Sequence, residues 1–138
     1  NTMSNLLVQN IKHTNNTTSM AIDTSGQVSV RGEGSATTTN LQQGLAKCWC
    51  FFNGTGTIAI SDSFNVASLT DDGTGDYDTN LTNGMGNTNY AIDALGSSFH
   101  TVDGSHEGAT TFNVETFNSS HSAGDSSRMN TFIFGDLA

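Results

Sequence analysis

Apolar and polar residues alternate along most of this chain with the period of two expected of half-buried strands. The 3.6-residue period of an amphipathic helix is nearly absent. Residues 6–11 (LLVQNI), 18–23 (TSMAID) and 27–30 (QVSV) predict three short strands, the last two joined as a hairpin through TSG. Their apolar positions are few, so an isolated ribbon of this kind is marginal. Residues 32–40 (GEGSATTTN) carry no apolar pattern and predict a linker, and 41–47 (LQQGLAK) a turn of helix or a lead-in.

The pattern then changes. In residues 48–52 (CWCFF) apolar side chains occupy both faces: Cys48, Cys50 and Phe52 on one, Trp49 and Phe51 on the other. That predicts a central strand covered by two layers. Burying one aromatic side chain contributes about 1.5–3 kcal/mol, so this run concentrates the core of an otherwise polar chain. NGTGT turns the chain out of it. Further strands follow: 57–60 (TIAI), 63–70 (SFNVASLT), 77–81 (YDTNL), 90–95 (YAIDAL), a short one near 99–108, 110–117 (TTFNVETF) and a terminal one in RMNTFIFGDLA. The predicted core is Trp49, Phe51, Phe52, Ile58, Ile60, Phe64, Val66, Tyr77, Tyr90, Phe112, Val114, Phe132 and Phe134.

About seven or eight short strands separated by turn signals predict an all-β fold, an antiparallel β-sandwich of jelly-roll-like form with an extended N-terminal β arm. A barrel is the alternative. Two regions are expected: 1–40 as arm and linker, serving attachment or oligomerisation, and 41–138 as the sandwich domain.

Composition narrows the partners. Ser, Thr, Asn and Gly make up roughly half of the 138 residues, Pro is absent, and the formal charge is −9. Four scattered cations cannot form the basic stripe that phosphate binding needs, which excludes nucleic acid and anionic lipid as partners. No apolar run reaches membrane-spanning length, so no membrane insertion is expected.

Candidate chemistry is sparse. Cys48 and Cys50, two apart on one strand face, are poorly placed for a mutual disulfide and lack companion metal ligands; they read as small buried hydrophobes. His100, His106 and His121, with Glu107, are the residues most like metal ligands, but their spacing matches no zinc motif. The acidic turn DDGTGD from Asp71 to Asp76 invites calcium yet lacks the EF-hand order, and a hairpin turn accounts for it better. Asp62, Asp71, Asp72, Asp76 and Asp103 supply carboxylates without singling out a glycosidase pair. The N-x-[ST] triplets at Asn15, Asn16, Asn53, Asn80 and Asn118 are expected from composition alone. No catalytic residues, metal site or cofactor are therefore expected. Surface contact is expected from the polar loops, at Asn83, Met85, Asn87, Asn118, His121 and Asp125.

The block AKCWCFFNGTGTIAISDSFNVASLTDDGTGDYDTNLTNGMGNTNYAI, residues 46–92, resembles a module of tail-fibre and other virion structural proteins of tailed bacteriophages, especially marine ones. The N-terminal NIKHTNNTTSMAIDTSGQVSV resembles the short leader such proteins carry. Cys48 and Cys50 depart from the pattern, where Ala and Val are usual, and residues from Asp93 onward match nothing in it. The resemblance implies a non-enzymatic, fibre-like virion structural protein on the particle surface. Its implied partners are itself as a homotrimer, other virion proteins of tail or capsid, and a host receptor or surface glycan. A capsid decoration protein or head fibre docked on capsomers is the alternative within this class. A glycan-active enzyme is the alternative from another.

Overall fold

The computed structural model describes residues 8–32, 37–97 and 101–138, without the side chains of residues 101–103. Leu6, Leu7, Phe99, His100 and the middle of the expected linker lie outside the described residues. The fold is all-β: three antiparallel sheets of four strands each, and no helix among the described residues. The chain separates into two compact units, Asn1–Leu45 and Ala46–Ala138.

The first unit is a meander of β1 (Asn10–Lys12), β2 (Thr18–Ile22), β3 (Val28–Arg31) and β4 (Thr38–Asn40), paired in that order. The β2–β3 hairpin is present, with Asp23 Oδ1 accepting from the backbone N–H groups of Ser25 and Gln27 across the turn. The stretch expected to be linker instead supplies β4, whose Asn40 side chain donates to Gln27 at 2.7 Å. Thr-Thr-Asn has the strand preference to pair with an open edge but no apolar residue to announce it.

The second unit packs two sheets face to face. One has the order β6-β5-β12-β9, from β5 (Cys48–Asn53), β6 (Ala59–Phe64), β9 (Ala91–Gly96) and β12 (Met129–Phe134). The other has the order β10-β11-β8-β7, from β7 (Val66–Gly73), β8 (Asp76–Leu81), β10 (Thr101–His106) and β11 (Thr111–Phe117). Between them lies one core, to which Cys48, Cys50, Phe52, Met129 and Ile133 contribute from the first sheet, and Tyr77, Leu81, Phe112 and Val114 from the second. Strand β8 shows the cause: Tyr77, Thr79 and Leu81 are buried while Asp76, Asp78 and Asn80 alternate outward. Among the described residues the hydroxyls of Thr79 and Thr131 are buried without a partner, a cost of about 1–3 kcal/mol each.

Three expectations need correction. Strands β6 and β7 do not break after Ile60 but at Asn65, a left-handed corner (φ 60°) where the chain crosses between sheets. The Asn65 side chain donates to the carbonyls of Lys47 and Asn83 and accepts from the Asn83 N–H at 2.8 Å, which fixes the corner. Strand β5 is not covered on both faces by the described residues of this unit. Phe51, Ile60, Phe64 and Phe134 are exposed, and Trp49 and Phe132 are only half-buried; Ile58 and Val66 are half-buried but pack against the core, as expected. Trp49, Phe51, Phe64, Phe132 and Phe134 all fall on the outer side of the first sheet, where no third layer of this unit lies over them. Met85, expected at a contact loop, is 2% exposed; it joins the core beneath Tyr90 and pairs with Leu137.

Candidate functional site

The strands alternate in direction, so the connections gather at two opposite ends. At one end the β5–β6, β7–β8 and β11–β12 loops converge on the Tyr77 hydroxyl. It donates to the Gly54 carbonyl at 3.0 Å, has Asp125 Oδ1 at 3.3 Å, and accepts from the Ser126 N–H at 3.4 Å. The Gly54 N–H in turn donates to the Ser126 carbonyl, and Asp125 Oδ1 accepts from the Gly75 N–H at 2.8 Å. Burial, with the Asp125 charge adding to it, lifts the Tyr77 hydroxyl above its ordinary range. Gly54 is required here: a Cβ would sit 2.5 Å from that hydroxyl. Thus NGTGT and DGTGDY, which look like separate turns, form one clasp.

This geometry sorts the loop residues. Asn118, His121 and Asp125 lie at the clasp end; Asn83 and Asn87 lie at the other. Asn118, Asn83 and Asn87 are exposed: Asn118 Oδ1 accepts from the Ser120 and Ser122 N–H groups and Asn87 Oδ1 from Asn89 N–H, whereas Asn83 is tied to the distant Asn65 corner. Asp125 acts in the clasp. The histidines separate likewise. His121 (φ 57°) sits at the clasp end, whereas His106 stacks edge-on to Tyr90 near the other, 4.6 Å between ring centres. Burial, then the Glu107 charge, raises the Tyr90 hydroxyl.

The outer face of the second sheet is acidic. Asn113 Nδ2 donates to both Asp76 (2.6 Å) and Asp78 (2.9 Å), and Glu115 stands opposite Asp76. Lost hydration at the hairpin, then the charges of Asp78, Asp76 and Asp71, hold the Asp72 carboxyl above the usual range. The fold therefore retains that proton to higher pH than the unfolded chain does, and stability falls as pH rises through the raised value. Asp72→Asn is expected to raise the thermal midpoint at neutral pH and to lose this advantage below the ordinary value of 3.8. Melting curves of both proteins across that range check it. Among the described residues no three His, Cys, Asp or Glu side chains are arranged to hold a metal ion. Depressions of ≈110 Å³ (beside Gly75, Glu115 and Ala123) and ≈100 Å³ (beside Ser105 and Asn113) border the acidic face. Each is well below the ~300 Å³ of a small-ligand pocket. Burial pushes the Cys48 and Cys50 thiols up to about 12 and about 11, so neither is a thiolate near neutrality.

The outer face of the first sheet is the opposite in character. Across the strands Phe64, Trp49 and Phe132 form one row that ends at Asp93; Asp62, Phe51, Asn130 and Leu95 form the next. Phe134 extends the apolar area along β12. The pattern of the sequence predicts these aromatics in the core and gives no signal for Leu95, which is 59% exposed.

No family model matches the chain, and no curated protein matches it significantly. Among solved structures it is similar to the phiAB6 tailspike, crystallised in complex with three-repeated oligosaccharides of Acinetobacter baumannii surface polysaccharide. The two are 13% identical with a TM-score of 0.60, over 98% of this chain and 29% of the tailspike chain. At that identity the likeness is one of fold, and this chain spans under a third of the tailspike's length.

Proposed function

We propose that this chain is a structural module of a tailed-phage virion, displayed on the particle exterior and assembled as a homotrimer. The observation that carries the reading is the fold likeness to a tailspike over 98% of the chain. The phage-like stretch supports it, because its Asn, Gly and Tyr residues are spent on holding the fold: Asn65 at the corner, Gly54, Gly75 and Tyr77 in the clasp. A scaffold of this kind presents its loops rather than performing chemistry. The first unit serves attachment, and the loops at one end of the sandwich meet host surface glycan, the class of molecule bound to the tailspike. Gold-labelled antibody on intact particles tests the placement. Label confined to the tail is expected; label over the head moves the protein to the capsid-decoration alternative, and unlabelled particles overturn the reading.

Glycan cleavage is the second reading, favoured by one observation: the tailspike was solved with oligosaccharides. It requires that purified protein shorten host polysaccharide. Unchanged chain length after prolonged incubation removes it.

A further inference from the structure

We infer that copies of this chain associate through the outer aromatic face of the β6-β5-β12-β9 sheet. The inference deepens the homotrimer in the proposed function, on which its choice of partner rests, and it assigns the contact to the sandwich rather than to the N-terminal unit.

The face has the anatomy of an interface: an apolar centre of Trp49, Phe51, Phe64, Phe132, Phe134 and Leu95, with Asp62 and Asp93 at opposite margins. Phe51 is 37% exposed, Phe134 38%, Phe64 51% and Leu95 59%. At roughly 200 Å² per large side chain, with part of Trp49 and Phe132 added, the face shows water on the order of 400 Å² of apolar surface. A stable protein interface buries about 800 Å² per partner. About 65% of a homodimer interface is apolar, so the patch approaches the apolar share that one such contact needs.

What the rest of the molecule offers narrows the occupant. Thirteen acidic against four basic residues exclude a phosphate-bearing partner. A sheet face presents area rather than a cleft, which fits a protein and not a small ligand. The opposite sheet carries Asp72, Asp76, Asp78 and Glu115 on its outer side, so copies meeting there repel. Copies meeting through the aromatic face bury apolar surface on both partners at once, and the marginal carboxylates at Asp62 and Asp93 disfavour shifted registers. Around a threefold axis each face is shared between two neighbours, so the patch supplies only the apolar centre of the two contacts and the polar margins supply the remaining area.

Sedimentation velocity of the full chain over a concentration series tests this, with Phe64→Asp on edge strand β6 and Leu95→Asp on edge strand β9. Both positions are exposed in the single chain, so the near-ultraviolet circular dichroism of the fold is expected to persist. The wild-type chain is expected to run as an oligomer, and each variant to weaken self-association by at least about a hundredfold. Ser68→Asp on the exposed side of β7 is expected to leave the oligomer intact. A wild-type chain that stays monomeric, or folded Phe64→Asp and Leu95→Asp variants that stay oligomeric, overturns the inference. Either failure leaves the position on the particle untouched, whereas unlabelled virions would leave the measured mass unchanged.

Discussion

Tyr77→Ala is expected to cost about 3–5 kcal/mol from the lost ring alone, a large share of the roughly 5–15 kcal/mol that holds a domain together. The ring is 0% exposed and meets Phe52 edge-on at 5.4 Å, so its removal opens a void between the two sheets where they are closest to the clasp. Its hydroxyl adds a second loss. The Gly54 carbonyl and the Ser126 N–H both bond to it, and three loops lose their common anchor together. Tyr77→Phe separates the terms: it keeps the ring and strips the hydroxyl, at about 1–3 kcal/mol for the buried groups left unpaired. Urea unfolding of both variants checks the pair. A Tyr77→Ala loss below about 1 kcal/mol would mean that the ring does not belong to the core. A Tyr77→Phe variant as stable as the wild type would mean that the clasp contributes no energy.

That contrast marks where the sequence was informative. Strands such as β8 and β11 were legible because one face alternates strictly with the other, Tyr77-Thr79-Leu81 against Asp76-Asp78-Asn80. Strand β5 was ambiguous for a physical reason. Apolar residues on both faces state that both are to be covered, but not whether the second cover belongs to the same chain. The aromatic row Phe64-Trp49-Phe132 was therefore assigned to the core when it lies on an outer face. The Asn65 corner was hidden because its side chain bonds to residues 18 positions away in either direction. So was the clasp, which ties Tyr77 to Gly54 and to Ser126, 23 and 49 residues distant. The glycine turns signalled that the chain reverses; they could not signal that the reversals touch. That Asn83 and Asn87 lie at one end and Asn118 and His121 at the other was hidden for the same reason, since opposite ends of a sandwich look alike until the strand directions are known.

Gly75→Ala offers the sharpest test of that contact. Gly75 has φ +71°, and a Cβ there would lie 2.7 Å from the Thr116 carbonyl oxygen and 2.8 Å from the Gly124 N. Both are backbone atoms, and neither can swing aside as a flexible side chain would. The Thr116 N–H also donates to the Gly75 carbonyl at 2.7 Å, so the strand and the turn are held against each other. Left-handed backbone costs a residue with a Cβ about 1–2 kcal/mol, and forcing an extra carbon into a packed site adds about 1–3 kcal/mol. Gly56→Ala supplies the control within the same end of the fold. Its φ is +65°, but nothing lies within 4 Å of the added carbon, so only the backbone term applies. Gly75→Ala is expected to lower stability in urea by about 2–5 kcal/mol and Gly56→Ala by about 1–2 kcal/mol. The excess measures the close approach of the β7–β8 turn to the β11–β12 loop. Equal losses in the two variants would show that the turn stands free of that loop, and only the β5–β6 and β11–β12 loops would then be held together, through Tyr77.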